Sequence, residues 1–380
     1  MNILLWGSKE FPFGISTGDK YPSGGIEKTV DSLSRSFGPQ GHKVFVITRK
    51  IKVKPDFDDS QLLKQNIIVK RVSWINGKFL RMPSYNLSVF FYLLFTKKNY
   101  DILYTHGIFA NFLGLFISKL KGVNQYMSPS GVNYTQKQYG FFKFVLKLLE
   151  KYTYSRPARV VYSSVNEKEL FETKLNIKTK NYLIISQGVN LNKVDPKKVQ
   201  ELTAKFKKPN LLYVGRLSKV KNIDLLIKVM KHISANLIIV GDGEEKENLV
   251  ALTSKLGLQK KVFFEGYKID VQNYLSFCDL FVLLSDSEGL SNSMLEAMSM
   301  GVPCVISKTI KLPFSKGCAI FVDQDELEIK SKINELLSDK AFYLKMSKNA
   351  EKEIEANYNW DKISCIYIHE FNKSLSNLKK

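Results

Sequence analysis

Short apolar runs alternate with stretches whose apolar residues recur at three- and four-residue spacing, and the alternation continues along nearly the whole chain. The short runs, bounded by polar or Gly-containing loops, predict buried strands at residues 2–6, 44–48, 67–72, 101–106, 159–163, 210–214, 237–240, 262–267, 280–284 and 304–307. The helical spacing predicts helices at 26–37, 109–120, 141–152, 223–231, 244–256 and 293–300, and a mostly core-facing helix with a basic end within 79–100. Strand–helix repeats of this kind imply parallel sheets covered by helices on both faces. A chain of 380 residues exceeds what one core holds. The expected fold class is therefore α/β, with two doubly wound, Rossmann-like domains facing a cleft. The Lys- and Pro-rich stretch 193–209 reads as the linker between them.

Composition narrows the function classes. The formal charge is +21, and it is uneven: residues 1–190 hold 28 Lys+Arg against 12 Asp+Glu, a net of +16, which leaves +5 for residues 191–380. A basic first half attracts polyanions, whether nucleic acid, anionic lipid or a phosphorylated acceptor. Nothing in the chain spells a nucleic-acid recognition motif. Four cysteines, Cys278, Cys304, Cys318 and Cys365, lack metal or disulfide spacing, which points to a reducing compartment. The N-terminus reads as a strand and not a signal peptide, and no apolar run approaches a transmembrane length. Asp56, Asp58 and Asp59 read as an exposed loop rather than a metal site.

The chemistry concentrates in residues 280–306, a predicted strand, loop, helix and strand. Loops at the carboxyl ends of parallel strands are where such sheets bind ligands. This loop carries Glu288, and the helix after it carries Glu296. Each has a plain alternative: Glu288 as a solvated loop charge, Glu296 as half of a capping box with Ser293. A second loop, Gly215-Arg216-Leu217 through Lys221, lies between strand 210–214 and a helix for which Asn222 is the expected N-cap. A diphosphate there would meet a helix dipole and two cations. Gly241-Asp242-Gly243 invites a dinucleotide reading, but Lys246 stands where the third glycine belongs, which disfavours a dehydrogenase. Asp323-Gln324-Asp325 spells D-x-D just before a helix, where capping is the expected role.

Taken together, Glu288-Gly289-Leu290, Ser291-Asn292, Leu295-Glu296-Ala297-Met298 and Gly301-Val302-Pro303 closely resemble the E-x7-E signature of group 1 retaining glycosyltransferases. The G-R-L-x-x-x-K string at Arg216 and Lys221 resembles that family's diphosphate clamp. The resemblance implies the GT-B fold and transfer of a hexose, with retained anomeric configuration, from a UDP- or GDP-type nucleotide sugar to an acceptor hydroxyl. It implies no cofactor and no metal. Residue by residue, Glu288 would contact the sugar hydroxyls and Glu296 the ribose, with Gly289 and Leu290 beside them. Arg216 and Lys221 would neutralise the departing diphosphate, and Gly266 would lie by the base. Gly24-Gly25, at a helix N-terminus, would approach the donor phosphates. His106, ending its strand, would sit near the donor sugar and acceptor.

Residues 184–190 resemble the family's interdomain turn, which sets the domains at 1–190, the acceptor side, and 191–357, the nucleotide-sugar side. Residues 358–380 resemble the family's last helix, which returns to the first domain. After Ser307 the chain departs from the family, with Lys308 to Pro313 in place of a glycine-rich loop. Lys143, Lys147 and Lys151 form one stripe of a helix with a wide apolar face. That helix is either packed with a solvated lysine edge or drawn to anionic lipid. The implied acceptor is a glycan or lipid-linked sugar, in cell-surface polysaccharide or glycolipid assembly. The implied setting is cytoplasmic, at the inner face of a membrane, with no nucleic acid. A nucleotide-sugar 2-epimerase, a basic nucleic-acid-binding protein and an inactive scaffold are the rival readings.

Overall fold

The computed structural model describes residues 1–15, 24–52, 58–77, 80–129, 143–189, 194–310, 314 and 317–378. The chain divides into two compact units, Met1–Gln187 with Trp360–Lys380, and Gly188–Asn359. The predicted turn at 184–190 thus contains the first crossing point, and Asn190 lies outside the described residues.

In the first unit, in chain order, are β1 (Asn2–Trp6), α1 (Gly25–Phe37), β2 (Lys43–Arg49), α2 (Ser60–Lys64), β3 (Ile67–Val72), α3 (Arg81–Phe95), β4 (Ile102–His106), α4 (Ile108–Lys121), β5 (Asn124–Ser128), α5 (Lys143–Tyr154), β6 (Arg159–Tyr162), α6 (Val165–Leu175) and β7 (Tyr182–Ile184). The strands form one sheet in the order β3-β2-β1-β4-β5-β6-β7. Neighbours run parallel, with Leu4 level with Phe45 on one side and Leu103 on the other. Successive side chains of β1 point to opposite faces. Ile3 and Leu5 meet Val30, Leu33 and Phe37 of α1, whereas Leu4 and Trp6 meet Tyr85, Val89 and Leu93 of α3 and Ile117 of α4. A strand covered on both faces must be apolar at every position, which is why it reads as an unbroken run. Asp58 accepts from the Ser60 N–H and Asp59 pairs with Arg71, so both serve the loop; Asp56 lies outside the described residues.

The second unit continues with α7 (Pro196–Lys205), β8 (Asn210–Val214), α8 (Ile223–Val229), β9 (Asn236–Val240), α9 (Lys246–Lys255), β10 (Val262–Gly266), α10 (Val271–Leu275), β11 (Leu280–Leu283), α11 (Asn292–Ser299), β12 (Cys304–Ser307), β13 (Ile320–Val322), α12 (Glu326–Ser338) and α13 (Lys340–Asn357). Its sheet order is β10-β9-β8-β11-β12-β13. The stretch 193–209, expected as a linker, belongs to the second unit where it is described, from residue 194 on. Asp195 caps α7 by accepting from the Lys197 N–H at 3.0 Å, Pro196 occupies the first helical position, and Leu202 and Phe206 are buried in the core. The D-x-D reading as a cap holds for Asp325, which accepts from the Leu327 and Glu328 N–H groups; Asp323 pairs with Lys308.

The last helix, α14 (Trp360–Leu378), belongs to the first unit. Trp360, Ile363, Tyr367 and Phe371 pack beside α1 on the sheet, and the Tyr104 and Tyr367 hydroxyls lie 3.1 Å apart. In each sheet the strand order reverses once, between β1 and β4 and between β8 and β11. The loops leaving the carboxyl ends of those strand pairs hold most of the sequence-predicted site.

Candidate functional site

In the second unit, the loop after β8 and the loop after β11 meet at the reversal. The Lys221 ammonium donates to the Glu288 carboxylate, and both side chains are less than a fifth exposed, at 17% and 19%. Three further contacts lock the loops together. The Asp286 N–H donates to the Val220 carbonyl at 2.8 Å. The Asn222 amide donates to the Leu284 carbonyl at 3.2 Å and to the Asp286 carboxylate. Gln324, just past β13, donates to the same two groups at 3.0 and 2.9 Å. Asn222 is the N-cap residue of α8, as the sequence suggests, but it holds φ +49° and its side chain makes no cap bond; its amide instead donates across to the β11 loop. Helix α8 also ends at Val229, where a short 3-10 turn takes over.

Glu296 sits half-buried on α11. The capping-box alternative is overturned. Ser291 is the N-cap residue, which puts Glu296 at the fifth helical position, and the Ser293 hydroxyl donates to the Val214 carbonyl at 2.9 Å. That bond fastens the start of α11 to the end of β8. Leu290 is buried in the core, while Glu288 and Gly289 remain half-buried on the loop.

Arg216 points outward at 62% exposure and pairs with Glu244 at 3.0 Å. So open an ion pair contributes at most about 1 kcal/mol, and it leaves the guanidinium free to exchange partners. The backbone beneath is tightly nested. The Gly215 N–H donates to Val240 at 3.0 Å, and the Gly241 N–H donates to Gly266 at 2.8 Å. Arg216 and Lys221 thus share the loop after β8, Glu288 lies on the adjoining loop after β11, and Gly266 ends β10, with the loop after β9 between it and Arg216.

In the first unit His106 ends β4, 3% exposed, its ring 4.4 Å from that of Tyr104. Its Nε2 has no hydrogen-bond partner among the described residues. Burial lowers its pKa to about 4. Because the folded value lies below the ordinary 6.5, the unfolded chain takes up the proton first as pH falls. Stability is complete above about pH 6.5 and declines toward pH 4, by up to roughly 3 kcal/mol for so buried a group. We expect His106→Gln to flatten that decline in urea titrations at pH 7 and pH 5; an unchanged pH slope would contradict it.

Sequence reasoning missed Glu27. This buried carboxylate accepts from the Lys9 N–H at 3.0 Å and the Gly24 N–H at 2.8 Å. It joins the loop after β1 to the N-terminus of α1. The signal was present, since Gly24 is the N-cap residue and Glu27 stands three positions on. The consequence for the glycine pair is specific: Gly24 and Gly25 are exposed, but the Gly24 N–H is already engaged. Residues 21–23 of the same predicted loop, and 311–313 of the loop after Ser307, lie outside the described residues. Among the described residues no three His, Cys, Asp or Glu side chains cluster as a metal would require.

Two family models match in tandem: Glycosyltransferase Family 4 over residues 23–193 and Glycosyl transferases group 1 over residues 194–353. The chain is 30% identical over 304 residues to the UDP-Gal:alpha-D-GlcNAc-diphosphoundecaprenol alpha-1,3-galactosyltransferase of Escherichia coli, covering 73% of this chain and 77% of that one. It is 23% identical over 372 residues to the N-acetyl-alpha-D-glucosaminyl L-malate synthase of Bacillus anthracis, covering 91% and 93%. Among solved structures it is similar to sucrose-phosphate synthase from Thermosynechococcus elongatus, with a TM-score of 0.82, 20% identity and 99% of each chain covered. The two parallel-sheet units are those of a GT-B fold. The matched models and the relative sharing three tenths of its residues make this chain a member of the group 1 glycosyltransferase family.

Proposed function

We propose that the protein transfers a hexose from a UDP- or GDP-type nucleotide sugar to the hydroxyl of a glycan or lipid-linked acceptor, with retention and without a metal. The observation that carries this reading is the Lys221–Glu288 pair, formed by two different loops at the strand-order reversal of the second unit. In the free protein each group holds the other. A donor diphosphate carries more charge than one carboxylate, so it displaces Glu288 as the partner of Lys221. Glu288 is then released to accept hydrogen bonds from the sugar hydroxyls. Arg216 swings from Glu244 to the same diphosphate, Glu296 holds the ribose, and Gly266 with Gly289 and Leu290 flanks the nucleotide. Of the first unit, His106 serves the donor sugar and acceptor, and Gly24-Gly25 the donor phosphates. The departing charge is thereby neutralised by side chains already in place. No protein base is needed if a donor phosphate oxygen takes the acceptor proton.

The Escherichia coli relative uses a UDP sugar and a diphosphoundecaprenol-linked acceptor, which supports a lipid-linked acceptor and a place at the inner face of a membrane. Its alpha linkage is what retention yields from an α-configured donor. Among the described residues no helix is long and apolar enough to cross a membrane.

A thermal-shift panel of nucleotide sugars tests the donor. A ligand at a hundred times its Kd stabilises by about 2.7 kcal/mol, a shift of several degrees. NMR of the product then reads the anomer. No shift with any donor would reject the site, and an inverted product would reject retention.

A further inference from the structure

The helices that cover one face of the first unit's sheet leave an unusual outer surface. Helix α4 packs between α3 and α5. Each helix turns an apolar stripe outward at four-residue spacing. On α3 the stripe is Leu87, Phe91 and Phe95, and Phe95 is 78% exposed. On α4 it is Phe116 and Leu120, the latter 65% exposed. On α5 it is Phe144, Leu148 and Tyr152, with Phe144 69% exposed. The stripes of α4 and α5 are joined, since the Phe112 ring lies 5.3 Å from Phe116 and 6.0 Å from Tyr152 across the helix boundary, and α3 packs on the other side of α4. Together they expose apolar area on the order of several hundred Å², more than a monomer leaves to water without a reason. The packed-helix reading of α5 therefore fails for Phe144, Val145 and Leu148, which face out; Phe141 and Phe142 lie outside the described residues.

Charge says what covers this face. The three helices carry six cations, Arg81, Lys119, Lys121, Lys143, Lys147 and Lys151. Their one acidic residue, Glu150, is fully buried. Lys143, Lys147 and Lys151 run directly beside the stripe of Phe144, Leu148 and Tyr152, and Lys97 and Lys98 follow α3. An apolar stripe edged by cations, with no exposed anion, matches the boundary between acyl chains and anionic headgroups. A second copy of the chain would set lysines against lysines.

We propose that the outer face of α3, α4 and α5 docks on an anionic lipid bilayer, with the three stripes in the headgroup–acyl boundary. This deepens the membrane reading above and rests on it only for its link to a lipid-linked acceptor. The test is co-sedimentation of the full chain with phosphatidylcholine vesicles, with and without phosphatidylglycerol, at low and high salt. The expected result is salt-sensitive binding that needs the anionic lipid. Replacing Lys143, Lys147 and Lys151 by alanine should weaken it roughly 100-fold. Phe95→Ser with Phe144→Ser should weaken it also at high salt, where the lysine attraction is screened. Phe95 and Phe144 are exposed and the three lysines half-buried, none of them in the core, so unchanged far-UV CD and thermal midpoint are expected. Should the aromatic variant fail to fold, the lysine variant decides. No binding by the wild type, or binding untouched by the lysine substitutions, would overturn the proposal. So would self-association of the wild type that these substitutions abolish. No donor or acceptor is present, so the outcome is independent of the donor-site reading.

Discussion

Replacing Lys221 by alanine is expected to lower kcat by roughly 10³-fold while the protein stays folded. The expectation follows from the proposed chemistry, in which the barrier lies in separating a nucleoside diphosphate from an anomeric carbon. The Lys221 ammonium is less than a fifth exposed and held by a loop that is bonded to the β11 loop through Val220, Asn222 and Asp286. A cation so fixed requires no reorganisation as the phosphate charge grows. The fold survives because the loop's tethers are backbone and amide bonds, none of which uses the Lys221 side chain. Glu288→Ala should reduce kcat comparably, by removing the acceptor of the sugar hydroxyls. Arg216→Ala should cost less, since its guanidinium is 62% exposed and solvent screens it. Full activity in purified Lys221→Ala, with unchanged donor KM, would remove the second unit's loops from the mechanism.

Gly241→Ala should destabilise the second unit by about 3 kcal/mol or more, lowering its thermal midpoint by roughly 6–12 °C. Two effects combine. Gly241 holds φ +145°, a region that residues with a Cβ rarely enter, and an added Cβ would lie 1.9 Å from the Gly215 carbonyl oxygen. That oxygen is backbone at the end of β8, so relief requires moving the loop that carries Arg216. Gly257 separates the two effects, because at φ +69° an added Cβ meets nothing within 4 Å. Gly257→Ala should therefore cost only the conformational penalty of about 1–2 kcal/mol. Differential scanning calorimetry compares the two variants. Equal losses would show that the contact with Gly215 contributes nothing.

Particular elements show where sequence reasoning held. Strand β1 and the strand–loop–helix–strand unit from Leu280 to Ser307 read clearly, because a strand covered on both faces must be apolar throughout. Helix α7 was missed because lysines and proline dominate it by composition, although Asp195-Pro196 is an N-cap followed by a first-position proline. The amphipathic pattern of α5 was visible, but not which way it turned. Periodicity reveals an apolar stripe, not what lies against it. Glu27 went unnoticed since a carboxylate three residues past a glycine looks like surface until the Lys9 N–H is seen to approach it.

By itself, the order of residues settled that this chain builds two parallel-sheet units and carries the E-x7-E string of its family, because burial on both faces and local spacing are written in consecutive positions. Only the tertiary structure decided that Lys221 and Glu288, 67 residues apart, hold one another. It alone decided that Asn222, at the N-cap of α8, turns its amide to the β11 loop, and that three apolar stripes share one outer face. Those are contacts between distant segments, made by strand order and helix packing, and no local pattern encodes them.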